Sequence, residues 1–370
     1  MSSSVKKTIL LTPGPVTTTE SVKWSQVVPD ICPREAEFGE IMEYISTELT
    51  QLVADPDHYT AILFGGSGTA AVESMISSVP DKDAVIIVSN GAYGKRMCEI
   101  AEVYGLDYLE FKSPPDEEVN LLDLERYIQS SNRTISHLAV VHHETTTGLL
   151  NKVKDIGNLC KKYQIEMIVD AMSSFAAIPI QMKEMNISYL AASSNKNLQG
   201  MAGVSFVIAE RSKLETLKDK KPRSYYLNLY AQYKYFAEHR QMRFTPPVQT
   251  LYALKQAIEE LKQEGIEKRY ERYITSWKTL ISGLARLGLT YIVPEEHHSK
   301  IITSIHEPAC AGYDFKSMHD FFYSKGIMIY PGKLEQLNTF RIANIGDITY
   351  KEIELFLELL ESYLSSIECG

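Results

Sequence analysis

Between residues 60 and 210, short apolar runs rich in β-branched residues alternate with helical patterns, and no other feature constrains the fold as much. The runs predict strands over Thr60–Phe64, Ala84–Ser89, Leu106–Phe111, Ile135–His142, Glu166–Asp170, Tyr189–Ala192 and Val204–Ala209. The segments between them predict helices over Gly68–Ser78, Tyr93–Tyr104, Leu121–Ser130 and Lys152–Tyr163. Apolar strands alternating with helices imply an α/β domain on a mostly parallel sheet. Ligands of such sheets bind beyond the carboxyl ends of the strands. The segments that follow strands here are Gly65-Gly66-Ser67, Asn90-Gly91, His143-Glu144-Thr145-Thr146, Asp170 and Ser193–Lys196.

Further on, one helical pattern runs from Pro247 to Gly265 and a second from Ile266 to Leu287, and Thr290 to Ile367 reads as mixed strands and helices. A chain of 370 residues is expected to divide into two units. The expected organisation is an N-terminal segment (1–15), a large α/β domain (16–255) and a smaller C-terminal α+β domain (256–370). The turn-forming Pro13-Gly14-Pro15 is expected to carry the N-terminal segment over another part of the fold.

The formal net charge of −9 argues against general nucleic-acid or anionic-membrane binding, so a positive site for an anionic substrate must be local. Cys32, Cys98, Cys160, Cys310 and Cys369 are scattered, with no CxxC and no ligand-like His/Cys cluster. That distribution predicts reduced thiols and argues against a disulfide framework or a structural zinc site; no metal is expected. The chain start lacks a signal-peptide core and no apolar run approaches membrane-spanning length, so a cytoplasmic location is expected.

Two residues carry the chemistry. Asp170 closes the apolar strand Glu166–Asp170, and Lys196 lies in the small, polar turn Ser193-Ser194-Asn195-Lys196 after the next strand. An enzyme using pyridoxal 5'-phosphate needs such a pair. The lysine holds the cofactor aldehyde as a Schiff base, and the aspartate keeps the pyridine nitrogen protonated so that the ring accepts electrons. A lone loop lysine is ordinarily just solvated, so the reading rests on the other parts.

Phe64-Gly65-Gly66-Ser67-Gly68-Thr69-Ala70 leaves a strand and opens a helix, where free N–H groups and hydroxyls can hold a phosphate. It has neither the Gly-Lys-Ser/Thr ending of a nucleotide loop nor GxGxxG spacing, and on spacing alone a structural turn explains it as well. Tyr93 sits at a second strand-to-helix turn and can stack on a flat ring or simply pack there. His142-His143 invites a metal reading, but adjacent strand residues face opposite ways and no carboxylate stands at ligand spacing. The hydroxyls of Thr145-Thr146-Thr147 suit hydrogen bonding to a cofactor phenolate. Arg341, in the apolar run Phe340–Ile345, needs an anion partner: a substrate acid or an internal carboxylate.

In combination and in this order, several motifs resemble the class V, fold-type I PLP-dependent aminotransferases. They are Leu11-Thr12-Pro13-Gly14-Pro15, Ser89-Asn90-Gly91-Ala92-Tyr93-Gly94, Glu144-Thr145-Thr146-Thr147-Gly148, Ile168–Phe175, Asn195-Lys196, Arg243-Phe244-Thr245, Tyr330-Pro331-Gly332-Lys333 and Phe340-Arg341-Ile342. The resemblance covers nearly the whole chain. It implies that Lys196 bonds the cofactor, Asp170 pairs with the pyridine nitrogen, Tyr93 stacks on the ring and Thr146, or Thr145, approaches the phenolic oxygen. Ser67, Gly68, Thr69 and Asn195 are then expected to hold the phosphate, with Thr245 reaching the phosphate of a neighbouring subunit in a homodimer.

Arg341 is expected to bind the substrate's acidic group, with Arg34 or Arg243 as a second cation. The implied activity is ping-pong transfer of the amino group of 2-aminoethylphosphonate to pyruvate, giving phosphonoacetaldehyde and L-alanine. The rival within the class is an alanine– or serine–glyoxylate type. A cysteine desulfurase needs a nucleophilic thiol, for which Cys310 is a poor candidate. A regulatory ligand-binding protein is disfavoured by the presence of both Lys196 and Asp170.

Overall fold

The structure, a computed structural model, describes residues 7–332 and 337–369; Lys333, quoted above in a motif, lies outside them. The chain begins with β1 (Ile9–Leu10), α1 (Glu20–Trp24) and α2 (Ala36–Gln51). Alternation follows: β2 (Tyr59–Gly65), α3 (Gly68–Ser78), β3 (Ala84–Ser89), α4 (Ala92–Val103), β4 (Tyr108–Lys112), α5 (Leu121–Ser130) and β5 (Ile135–Val141). A small hairpin, β6 (His143–Glu144) and β7 (Leu149–Leu150), precedes α6 (Val153–Lys162), β8 (Glu166–Asp170), β9 (Ile187–Ser193) and β10 (Val204–Glu210). Helices α7 (Arg211–Glu215), α8 (Leu229–His239), α9 (Val248–Glu264) and α10 (Ile266–Arg286) lead to β11 (Ile302–His306), α11 (Phe315–Ser324), β12 (Ile327–Met328), β13 (Tyr330–Pro331), β14 (Thr339–Ala343) and α12 (Tyr350–Ser366).

The seven-stranded sheet has the order β2-β10-β9-β8-β5-β3-β4. Neighbours from β9 through β8, β5 and β3 to β4 are parallel, and β10 alone runs against its neighbours. The expected mostly parallel α/β sheet is therefore present. β3, β8, α3 and α5 span the residues their sequence patterns predicted. Helices α2 and α8 lie outside that alternation; α2 buries Phe38, Met42, Ile45 and Leu49 at helical spacing.

Successive strand residues face opposite sides, so the sheet carries two cores. Ile86, Val88, Leu138, Val140, Met167 and Val169 pack with α2, α6 and α9 on one face. Val85, Ile87, Ala139, Val141 and Ile168 pack with α3 and α4 on the other. A third core lies around the C-terminal elements, with Leu280, Leu284, Phe322, Phe340, Phe356 and Leu360.

Position 255, the expected division, falls inside α9. Leu251, Leu254, Ile258 and Leu261 of that helix all pack on the large sheet, and the change of packing partner comes at Gly265, between α9 and α10. The N-terminal segment joins the C-terminal unit: β1 pairs in parallel with β12, and Leu11 enters the third core.

One expectation is overturned. Cys310 and Cys369 form a disulfide, with Cα atoms 5.6 Å apart across a sequence separation of 59. Scattered spacing pointed to free thiols, but the C-terminal end of α12 folds back onto the loop before α11, which no local pattern reveals. Cys32, Cys98 and Cys160 are free. Among the described residues no helix is long and apolar enough to cross a membrane, and no group of three His, Cys, Asp or Glu is placed to hold a metal ion.

Candidate active site

Because β2, β3, β5, β8 and β9 run the same way, the loops at their carboxyl ends gather at one edge of the sheet. There they surround a cavity of about 470 Å³ lined by Gly66, Ser67, Gly68, Thr69, Tyr93, Arg96, Asp170, Met172, Asn195 and Lys196, among others. Ser67 is the N-cap of α3, makes no side-chain capping bond, and is followed by a first turn with no acidic residue. An uncapped helix start with flanking hydroxyls favours an anion.

Asp170 ends β8 and is buried; its Oδ1 accepts from the Met172 N–H at 2.9 Å. Burial pushes its carboxyl up to about 6, opposed by that hydrogen bond. Lys196 follows β9, and its Nζ donates to the Pro13 carbonyl at 2.6 Å. The N-terminal segment thus arches over the lysine, and a side chain at Gly14, where φ is +136°, would collide with it.

Tyr93 opens α4 at the cavity wall, and the Arg96 guanidinium lies 4.9 Å from its ring centroid. The sequence reading missed Arg96; its signal is the i,i+3 spacing from Tyr93 on one helical face. Asn195 lines the cavity and its Oδ1 accepts from Ser193 Oγ at 3.0 Å.

The turn after β5 distributes its residues unevenly. The Thr146 hydroxyl is turned away from the cavity to the Glu144 carboxylate, and also accepts from the Ala92 N–H at 3.1 Å. Thr145 lines a narrow continuation of the cavity together with Tyr93, His143, Asp170 and Lys196. Of the two threonines, only Thr145 therefore faces the pair Asp170 and Lys196.

The two histidines do not converge. His142 Nδ1 pairs with Ser174 Oγ and His143 Nδ1 with Ser173 Oγ, each at 2.9 Å. Burial holds both pKa values low, His142 at about 4 and His143 well below its usual value. Thr145 Oγ1 and His143 Nε2 are buried without a hydrogen-bond partner in the same cleft. Orphaned polar atoms of this kind point to an absent ligand. An uncapped helix start, a carboxyl at a strand end, an aromatic wall and two unmatched polar atoms fit a flat, phosphorylated heteroaromatic ring.

Arg341 comes from the antiparallel sheet β11-β14-β13, opposite Ser304 and Tyr330. It is 2 % exposed. Its Nε donates to the Pro331 carbonyl at 3.0 Å and its Nη1 to the Thr145 carbonyl at 3.4 Å. Burial pulls its pKa down, opposed by the nearby Tyr93, Glu144 and Tyr330. Two of its hydrogen bonds go to carbonyls, and among the described residues no carboxylate forms an ion pair with it.

Arg34 and Arg243 are not brought to this cavity. Arg34 is exposed and donates to Gln241 Oε1 and to the carbonyls of Met242 and Arg243; Arg243 donates to the Tyr225 carbonyl. Thr245 is also exposed. The segment bearing it runs beside the phosphate-type turn: Tyr226 donates to the Gly65 carbonyl at 3.1 Å and stacks on Phe244.

A sequence model of the Aminotransferase class-V family matches residues 22–334. The chain is 38% identical over 358 residues to the 2-aminoethylphosphonate–pyruvate transaminase of Klebsiella pneumoniae, covering 96% of this chain and 97% of that protein. It is 39% identical over 361 residues to the enzyme of the same name from Bacteroides fragilis, covering 96% and 99%. Among solved structures, an alanine–glyoxylate aminotransferase from Nostoc sp. superposes with a TM-score of 0.89 at 25% identity, covering 98% of this chain and 97% of that one. With the lysine, the aspartate and the uncapped helix start in one cavity, the chain belongs to the class V aminotransferases: it is a fold-type I transferase whose cofactor is pyridoxal 5'-phosphate.

Proposed function

We propose that this aminotransferase moves the amino group of 2-aminoethylphosphonate to pyruvate, yielding phosphonoacetaldehyde and L-alanine. The relatives that share most of its length carry that name. The observation that carries the reading is Arg341: a buried guanidinium held by two carbonyls beside the cavity, suited to an acid brought by a substrate. Because the donor lacks a carboxylate on its amine-bearing carbon, Arg341 binds phosphonate in one half-reaction and pyruvate's carboxylate in the other.

The bound cofactor supplies an aldehyde that captures the amine and a ring that accepts electrons. Lys196 carries the covalent link through Nζ. When not engaged in that link, Nζ would be a neutral base placed to take the proton from the substrate's amine-bearing carbon and, as an acid, to deliver it to the cofactor's carbon, with the Pro13 carbonyl orienting it. Asp170 holds the protonated ring nitrogen through its carboxylate, and Tyr93 supports the ring face. Thr145, rather than Thr146, donates to the phenolic oxygen. Ser67, Gly68, Thr69 and Asn195 hold the phosphate. Thr245 is exposed beside the Gly65 turn, in keeping with service to a partner's phosphate in a homodimer.

A cytoplasmic location belongs to the same reading.

The test is a screen of amino donors, one at a time, against pyruvate and against glyoxylate. Alanine formation from 2-aminoethylphosphonate and pyruvate is expected. Turnover confined to alanine or serine with glyoxylate would overturn the substrate assignment in favour of the glyoxylate type.

A further inference from the structure

Glu144 has no place in the chemistry above, yet it is fully buried. Its carboxylate takes hydrogen bonds from four neutral donors. Oε2 accepts from the N–H groups of Tyr93 at 3.2 Å and Gly94 at 3.4 Å, in the first turn of α4. Oε1 accepts from the Thr146 N–H at 3.1 Å and from the Thr146 hydroxyl. The Ala92 N–H of the same turn goes to Thr146 Oγ1 at 3.1 Å, and the N-cap itself is Gly91, where any Cβ would collide with the Glu144 side chain.

Burying a carboxylate is costly, and an apolar residue of similar size would fill this space without that cost. What the carboxylate does, and an apolar group cannot, is bind two segments at once. One carries Tyr93. The other carries Thr145, whose carbonyl receives Arg341 Nη1 at 3.4 Å and whose hydroxyl faces the cleft.

We propose that Glu144 is a positioning residue whose carboxylate locks the start of α4 to the 144–146 turn. Tyr93, Thr145 and, through the Thr145 carbonyl, Arg341 are thereby held in one register. The wall that meets the ring and the cation that meets the substrate acid keep a fixed spacing because one side chain spans them. This deepens the transaminase reading and rests on it for the substrate arm only.

The test is Glu144→Gln. Both carboxylate oxygens face N–H groups, so the amide of glutamine must turn its own NH₂ against one of them while the volume stays the same. Pyridoxal 5'-phosphate titrated into the stripped enzyme should bind about tenfold more weakly, and KM for amino donor and keto acid should each rise about tenfold, with kcat at saturation changed less than about threefold. A lowered Tm with cofactor Kd and both KM values unchanged would overturn the proposal, because Glu144 would then only cap a helix.

Should the variant not accumulate folded, Thr146→Val leaves Glu144 in place and removes the hydroxyl that donates to it and accepts from the Ala92 N–H. It should move Kd and KM the same way by about threefold, and unchanged constants would equally overturn the proposal. The cofactor titration contains no amino donor, so a wrong donor assignment leaves that arm standing.

Discussion

The seven-stranded and three-stranded sheets stand to the cavity in different ways: the first lines it, and the second places Arg341 behind Thr145 of its lining. The seven-stranded sheet offers the ends of its strands, where the backbone leaves the ladder and small polar residues can cluster: Ser67 after β2, Asp170 closing β8, Lys196 after β9. The three-stranded sheet offers one residue from the middle of a strand, Arg341 on β14, buried among apolar neighbours. The first arrangement can assemble many partial charges around a cofactor, since strand ends are parallel and close together. The second holds a single cation rigidly, because its strand neighbours fix its backbone and two carbonyls fix its head. On the reading proposed above, one sheet serves the cofactor and the other the substrate's acid.

Substitutions can break that division. The largest effect is expected from Lys196→Ala, which on the proposed roles removes the covalent attachment and the proton carrier together; activity should fall by about 10⁴-fold or more. Borohydride should no longer fix the cofactor on the peptide containing residue 196. Asp170→Asn should lower kcat by about 10³-fold and weaken cofactor binding, since a neutral amide does not hold a protonated ring nitrogen.

Asp170 also makes a stability prediction for the cofactor-free enzyme. Its folded pKa, about 6, lies above the reference value of 3.8. Between those values the folded state binds more protons than the unfolded chain, so stability falls as pH rises through that window, by roughly 3 kcal/mol in all. Urea unfolding of the stripped enzyme should show Asp170→Asn gaining stability over wild type at about pH 7 and no comparable gain at about pH 4. A wild-type stability flat across the window would mean that the carboxyl is not desolvated by the strand end.

Arg341→Gln tests the other sheet. KM for both acids should rise about 10²-fold, while cofactor affinity stays within about threefold of wild type. A loss of cofactor affinity equal to that of Asp170→Asn would dissolve the division. The smallest effect is expected from Cys369→Ser. In oxidised protein it should cost about 2 kcal/mol of stability by freeing the end of α12, and leave cofactor Kd and KM unchanged.

Much of this molecule is legible locally. β3, β8, α3 and α5 coincide with their sequence patterns because each is a run whose periodicity and bounding residues agree. The positions of Lys196 and Asp170 at strand ends were legible too, although a lone loop lysine is ordinarily solvated and only the combination of motifs singled it out. Arg96 was not, and neither was what His143 and Glu144 face, because an arginine one turn into a helix, a histidine beside a histidine and a glutamate in a turn have no fixed facing until neighbouring strands set it. The choice between Thr145 and Thr146 was open for a similar reason. Adjacent residues differ in facing, and only the Glu144 carboxylate decides which hydroxyl is turned inward.

By itself, the sequence determined the alternating elements, the parallel sheet and the residues at its strand ends, since these follow from apolar periodicity over a few residues. Tertiary structure alone decided what lies opposite them: Pro13 over Lys196 across 183 positions, the Thr145 carbonyl on Arg341 across 196, and Cys310 bonded to Cys369 across 59. The physical reason is range. A strand or helix is specified by contacts within one or two turns of chain, whereas these pairings depend on how the C-terminal core packs against the large sheet, and no local pattern encodes that distance.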